Sequence, residues 1–341
     1  MRGSEFQNRR KTTGNPAEAK ELQFITIPSQ GNAIDYGDLT IAKQNSSGRN
    51  NSVKALIAGG QGGPANLSTI DTFVIPTGGN ATDFGDTTSN GGEASSGNSN
   101  SHGGLNDGYQ GTRPLPFNEA GGDLGLFMGD DIQKITISST GNANFFGELV
   151  TTSQYQGSFA NKTRGGKGGA GAPATGDSIE YVTFSTDGNS ADFGNLTAAT
   201  QTGAGCASNN TRGVFASGYK PSPGFQNIIQ YITIDTLGNA ADFGDLTQSR
   251  GSTANGANST RGLASGGATP SDVNTIDYWT MSTLGNATDF GDLTGDVKEA
   301  GAVNSSTRFV RLGGRTDSSP NYTNVMDYVE IQSTGNAMDF G

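Results

Sequence analysis

The chain has 341 residues, of which 32% are hydrophobic and 16% charged, while glycine alone contributes 54. A formal net charge of −11 and a sequence pI near 4.5 argue against nucleic acid or an anionic membrane surface as the main partner. One cysteine, Cys206, excludes an intrachain disulfide framework, and the chain shows neither an 18-residue apolar run for a membrane span nor a signal-peptide core.

Gly, Asn, Ser and Thr supply most of the polarity, which favours tight turns and short strands, and no stretch sustains a 3.6-residue apolar period. The expectation is an all-β chain. Residues 1–22 come first as a basic segment: Arg2, Arg9, Arg10, Lys11 and Lys20 stand against Glu5, Glu18 and Glu21, leaving −13 for the rest. Met1–Phe6 reads alternatively as an expression-vector scar.

From residue 23 a repeat takes over. A cassette of the form Gly-Asn-Ala-x-Asp-Phe-Gly begins at Gly31, Gly79, Gly141, Gly188, Gly238, Gly285 and Gly335, at spacings of 48, 62, 47, 50, 47 and 50 residues. Each follows a β-branched or aromatic run with rough period-2 alternation, from Phe24-Ile25-Thr26-Ile27 to Met326-Asp327-Tyr328-Val329-Glu330-Ile331, as a half-buried strand requires. The Gly-Asn pair is expected to form a two-residue hairpin turn. The following Ala-x-Asp-Phe-Gly-Asp-Leu is the returning strand, with Phe facing the core and the second Gly at a bulge or strand end.

Between hairpins lies a second pair of strands. One is small and polar, as in Gly251-Ser252-Thr253-Ala254-Asn255-Gly256; the next is apolar and ends in glycines, as in Lys54-Ala55-Leu56-Ile57-Ala58-Gly59-Gly60 and Arg308-Phe309-Val310-Arg311-Leu312-Gly313-Gly314. Four short strands per unit of about 50 residues make a β-propeller blade, with the small-residue strand innermost. An insertion at about 87–123 accounts for the long spacing. Residues 162–171 make a poor glycine-ended strand in the third repeat, and Phe145 replaces one cassette Asp.

An apolar strand ending in Gly-Gly, then a strand with a central Tyr, then a returning strand, is similar to the kelch blade. The version Tyr-x-Thr-Ile…Gly-Asn-Ala-x-Asp-Phe-Gly-Asp-Leu-Thr resembles the repeat of tail-, fibre- and capsid-associated virion proteins of marine bacteriophages, across residues 23–341. Seven cassettes against six intervening strand pairs predict six complete four-stranded blades plus an N-terminal extra hairpin over Phe24–Leu39. Seven blades, the last completed by another subunit, is the alternative.

The Asp-Phe-Gly triplet lacks the Gly-rich loop, strand lysine and catalytic-loop pattern of protein kinases, and reads as structural. The acid pairs Asp35/Asp38, Asp83/Asp86, Asp242/Asp245 and Asp289/Asp292 read as solvating and turn-accepting groups rather than a calcium site, which needs converging oxygens. His102 alone cannot build a multi-His metal site or a catalytic triad, and Cys206 reads as a packed side chain. Neither a metal nor a cofactor is expected.

Candidate binding residues sit in two aromatic, basic and proline-containing loops: Tyr109, Arg113 and Phe117 in the insertion, and Tyr219, Lys220 and Phe225 further on. Candidate assembly residues are Arg9, Arg10 and Lys11 with Phe24, Ile25 and Ile27 of the spare hairpin. The resemblance implies a non-enzymatic structural or binding module of a phage particle, docked through its N-terminal segment to other virion proteins. A homo-oligomer is a further option, without nucleic acid or membrane insertion. A propeller binding a host glycan or receptor is the second reading and a glycan-active enzyme the third, since a glycosidase needs only two suitably spaced carboxylates.

Overall fold

The computed structural model describes residues 19–341 apart from 45, 52, 64, 89–95, 100–122, 130, 153–154, 172–174, 202–205, 223 and 320. The alternating strand patterns fold back on themselves into six antiparallel four-stranded sheets, each a blade of a β-propeller. Strands are lettered A to D from the inside outward. Blade one comprises Ser47–Asn50, Lys54–Ala58, Thr69–Val74 and Thr82–Asp86. Blade two comprises Ser96–Ser99, Leu124–Met128, Ile132–Thr136 and Asn144–Gly147. Blade three comprises Gly157–Ala160, Arg164–Ala170, Gly176–Thr183 and Ala191–Asn195. Blade four comprises Cys206–Ser208, Arg212–Lys220, Gly224–Thr233 and Ala241–Arg250. Blade five comprises Ala254–Ala257, Arg261–Ser265, Thr275–Thr280 and Thr288–Asp292. Blade six comprises Gly301–Asn304, Arg308–Arg315, Tyr322–Glu330 and Met338–Asp339.

The N-terminal hairpin, Ala19–Phe24 paired with Ile34–Lys43, stands apart as a two-stranded sheet. Six complete blades plus a hairpin is thus the observed arrangement. The hairpin starts earlier than its apolar run suggests, so residues 19–22 of the basic segment belong to a strand. The 87–123 insertion is also divided, because 96–99 within it is strand A of blade two. Within the glycine-rich run, Arg164–Ala170 does form strand B, with a bulge at Gly169. Its glycines leave room for neighbouring rings: a Cβ at Gly166 would stand 2.3 Å from Phe159, and one at Gly168 2.8 Å from Phe215.

The Gly-Asn pair is not the hairpin turn. Strand C ends in a β-turn one step earlier, closed by Thr236 N–H to Thr233 C=O at 2.9 Å in blade four and by Thr283 to Thr280 at 3.2 Å in blade five. The cassette glycine instead adopts φ of +145° at Gly238 and +149° at Gly285, while no cassette Asn has positive φ. This extended, glycine-dependent backbone lets the chain run flush against the preceding blade. Gly285 N–H donates to Phe243 C=O at 2.8 Å, Asn286 Oδ1 accepts Asp245 N–H at 3.1 Å, and Ala287 N–H donates to Asp245 C=O at 2.8 Å. The second glycine completes the contact: a Cβ at Gly244 would lie 2.4 Å from the Gly285 oxygen.

The same backbone-to-backbone contact links Gly37 to Gly79, Gly85 to Gly141, Gly147 to Gly188, Gly194 to Gly238 and Gly291 to Gly335, and it closes from Gly341 back to Gly31. The belt therefore has seven stations although only six blades are complete. The N-terminal hairpin holds the seventh, in the C and D positions.

The returning strand behaves as its sequence predicts. The residue before its glycine is bulged, since Ile276 lies opposite Gly291 and Asp277 opposite Asp289, and the skipped Phe290 turns inward. Phe84, Phe146, Phe193, Phe243, Phe290 and Phe340 are all buried, with Tyr36 in the hairpin. Burying each such ring stabilises the fold by roughly 1.5–3 kcal/mol. The apolar core falls into seven clusters, one per station interface. Ile25 and Ile27 pack against Val310, Leu312 and Tyr328 of blade six; Leu22, Tyr36 and Leu39 pack against Ala55, Ile57 and Phe73 of blade one.

Arginines at the start of strand B stitch neighbouring blades. Arg164, Arg212, Arg261 and Arg308 lie 4.6–4.8 Å over Tyr181, Tyr231, Tyr278 and Tyr328. Each also donates to the next C–D turn, at Ile234, Met281, Ile331 and Ile27 respectively. The hairpin exchanges the two aromatic positions, with Phe24 on strand C and Tyr36 on strand D, packed edge to face at 5.6 Å. Tyr36 then donates its hydroxyl to Ile75 C=O at 3.0 Å, the same turn position that the arginines reach elsewhere.

In strand C the residue that follows the buried aliphatic (Ile70, Ile132, Ile179, Ile229, Ile276 or Met326) is polar and buried in every blade: Asp71, Gln133, Glu180, Gln230, Asp277 and Asp327. It accepts hydrogen bonds from the chain leaving the preceding cassette, as from Thr197 N–H to Gln230 at 2.7 Å and from Thr247 Oγ1 to Asp277 at 2.7 Å. The acids meet bases. Lys43 and Arg250, at the end of the preceding strand D, lie 2.9 Å from Asp71 and 3.1 Å from Asp277. Arg311, on strand B, pairs with Asp327, and Lys167 on strand B opposes Glu180. In the two glutamine blades the strand B residue facing the glutamine is Phe127 or Phe215.

Candidate functional site

In each blade the A–B and C–D turns open on one side of the ring, and the B–C and D–A connections on the other. The second face is the more elaborate. Strand B leaves it through paired positive-φ residues, Gly59-Gly60, Ser217-Gly218, Gly266-Gly267 and Gly313-Gly314. The second glycine of each pair is obligatory because a Cβ would reach 2.4–2.6 Å from the incoming D–A connection. Beyond these kinks the two connections pair, at Gln44 with Gln61, Gln201 with Tyr219, Gly251 with Ala268 and Lys298 with Arg315. The face is thereby braced by backbone, which leaves side chains free to point outward.

Tyr219, Lys220 and Phe225 lie on this face, but on strands rather than in a loop. Strands B and C of blade four run on as a two-stranded ribbon to Lys220 and Gly224, because Gln201 holds Tyr219 by reciprocal backbone hydrogen bonds of 2.8 and 3.0 Å. Tyr219 and Phe225 pack edge to face at 5.4 Å, and Tyr219 remains 40% exposed. The ribbon thus presents an aromatic step with Lys220 beside it.

A charged cluster that the repeat pattern does not reveal lies at the junction of blades five and six on the same face. Lys298 Nζ sits 2.9 Å from Asp272 and 2.5 Å from Asp317. The two aspartates also accept each other's backbone N–H, at 3.1 and 2.6 Å. Hydrogen bonds to Asp272 and then Asp317 push the Lys298 ammonium up, and Lys298 pulls the Asp317 carboxyl down. Asp272 and Asp317 lie in the B–C connections of successive repeats, at different distances from the glycine pair that precedes each.

Among the described residues, no group of three or more His, Cys, Asp or Glu side chains could hold a metal ion. The cassette acids act in turns: Asp83 and Asp289 each accept the N–H of the glycine two residues on, at 3.0 Å. Cys206 is half-buried on strand A of blade four, and burial pushes its thiol up to about 12, so it is protonated at neutral pH. Tyr109, Arg113 and Phe117, together with Arg9, Arg10, Lys11 and His102, lie outside the described residues. Phe24, Ile25 and Ile27 belong to the seventh station, where Ile25 and Ile27 are buried and Phe24 half-buried.

The repeated sheets and the belt define the chain as a β-propeller with blades compatible with the kelch pattern. No family model matches the chain, and no curated protein matches it in sequence. The fold suits a binding or structural module.

Proposed function

We propose that this propeller is a non-enzymatic structural and binding module of a bacteriophage particle, a tail, fibre or capsid-associated component. It docks on other virion proteins through its N-terminal segment and turns its loop-bearing face outward. The observation that carries the reading is the division of labour between the two sides of each blade. A backbone belt at the C–D turns holds the ring, while the opposite face, braced by paired connections, presents the Tyr219–Phe225 ribbon and the Lys298 cluster. The cassette's resemblance to phage virion repeats gives the setting.

Mass spectrometry of purified particles is the direct test, with the chain expected as a stoichiometric component. Removing residues 1–18, which spares the strand from Ala19, should abolish incorporation and leave a folded propeller. Particles that incorporate the truncation normally would sink the docking role.

The aromatic step favours a second reading, in which the face binds a host-surface glycan or receptor. Tyr219→Ala is then expected to weaken binding of the isolated protein to host cells at least tenfold without changing its melting temperature. Unchanged binding would remove this site from consideration.

A further inference from the structure

The aromatic step of blade four has a neighbour that the repeat itself locates. In blade five Ala268 pairs with Asp272 across the ribbon, as Tyr219 pairs with Phe225 in blade four. Asp272 lies against Lys298, in the connection that leads on to blade six. Phe225 lies in the same way against Gly251, in the connection that leads on to blade five: a Cβ at Gly251 would stand 3.0 Å from its ring. Asp272 also reaches the ribbon tip of the next blade, where Asp317 N–H donates to it at 2.6 Å and its own N–H donates back at 3.1 Å. Phe225 and Asp272 thus hold one column of the repeat, and that column faces the next blade's tip. For Phe225 the tip is Thr269-Pro270-Ser271 of blade five.

Tyr219 shares its side of the ribbon with Phe225, since the two rings meet edge to face at 5.4 Å, and it is 40% exposed. The half-buried Phe225 backs this ring, and Gln201 fixes its backbone by two hydrogen bonds, so the ring is held ready before any ligand arrives. Pro270 and Ser271 are exposed and Thr269 is half-buried. The patch is therefore one supported aromatic ring bordered by two hydroxyls of the next blade. In the adjoining seam the charges satisfy one another, Lys298 with Asp272 and Asp317.

We propose that this patch binds a neutral pyranose unit of a glycan across blades four and five. The apolar face of the sugar covers Tyr219, and its hydroxyls exchange hydrogen bonds with Thr269 and Ser271. One exposed ring is far too small for a protein partner, which needs about 800 Å² on its side, but it matches a single sugar. The net charge of −11 repels polyanionic glycans, and the bordering hydroxyls suit a neutral ring. This assignment rests on the host-glycan reading of the same face, and adds to it the sugar class and the second blade.

A printed array of neutral and acidic pyranose oligosaccharides, probed with the full-length protein, tests it. Binding is expected on neutral members. For the strongest of these, Tyr219→Ala should weaken binding at least tenfold, and Thr269→Val combined with Ser271→Ala by about tenfold, all with the parent's melting temperature. Asn66→Ala, in the blade-one ribbon, should bind as the parent does. Binding to acidic members alone, a blank array, or binding that survives loss of both hydroxyls would overturn the proposal. Host cells separate it from the reading beneath it. Cells bound through Tyr219 alongside a blank array remove only the neutral-sugar assignment, whereas array binding through Tyr219 with unaffected cell binding removes only the host-surface role.

Discussion

Blades four and five are neighbours of nearly the same sequence pattern, yet they bury different chemistry at one position. Blade five encloses Asp277 with Arg250, both side chains fully buried 3.1 Å apart. Blade four encloses Gln230 with Phe215. The threonine that ends the preceding cassette serves both, through Thr247 of Asp245-Leu246-Thr247 to Asp277 and Thr197 of Asn195-Leu196-Thr197 to Gln230. The architecture thus asks only for a buried acceptor after the buried aliphatic of strand C, Ile229 or Ile276. An acid must bring its own base, whereas glutamine leaves the space to an apolar ring. Desolvation opposes the charged solution, as shown by burial lowering the pKa of Arg250 and Arg311 against the pull of Asp277 and Asp327.

Breaking the pair from one side should have the largest effect. Arg250→Met leaves Asp277 buried without its base and is expected to cost about 3–5 kcal/mol in urea unfolding. A cost below 1 kcal/mol, on the order of a surface substitution, would show that Asp277 is served well enough by Thr247. Gln230→Glu moves the problem into blade four. It puts a carboxyl opposite Phe215, and burial raises its folded-state pKa above the unfolded glutamate value of about 4.3. The destabilisation is therefore present above that pH and fades as the pH falls below it. Melting curves at pH 4 and 7 should separate the variant from the parent only at the higher pH.

Smaller effects sharpen the comparison. The double change Arg250→Met with Asp277→Gln converts blade five to the glutamine solution, and should recover stability to within about 1–2 kcal/mol of the parent. Blade three offers a pH readout without any substitution. Burial lowers Lys167 to about 8 from its ordinary 10.5, with Glu180 opposing the shift. The unfolded chain then binds more protons between those values, so this lysine makes stability rise with pH across the window. Replacing Lys167 and Glu180 together by Phe and Gln should flatten that rise. Removing one belt acceptor, as in Asn286→Ala, is the mildest change, at about 1 kcal/mol.

The repeat made most of the architecture legible. Seven cassettes, the inward Phe, the bulge at the second Gly and the count of six complete blades all follow from patterns present in every copy. The turn did not, because positive φ at a glycine fits a hairpin loop and an extended inter-blade crossing equally well in sequence. Strand B of blade three was obscured because its apolar bulk comes from Phe159 and Phe215 on other strands. The buried pairs were hidden for a related reason. Their acids occupy one column, but their bases arrive from two, at the end of strand D for Lys43 and Arg250 and within strand B for Lys167 and Arg311. The charged cluster of Lys298 lay in connections whose lengths vary between repeats, where no fixed spacing brings Asp272 and Asp317 into register.

The glycine-to-glycine crossing has a consequence for how such a protein can change over time. At the belt itself the grip uses main-chain atoms and one asparagine, so that contact does not depend on which blade meets which. A unit can be duplicated or exchanged and the belt will still fasten, provided that a blade burying Asp71 or Asp277 still follows a strand D ending in the base that meets it. Adjacent loops would travel with each unit, making the ring a cassette holder for new surfaces.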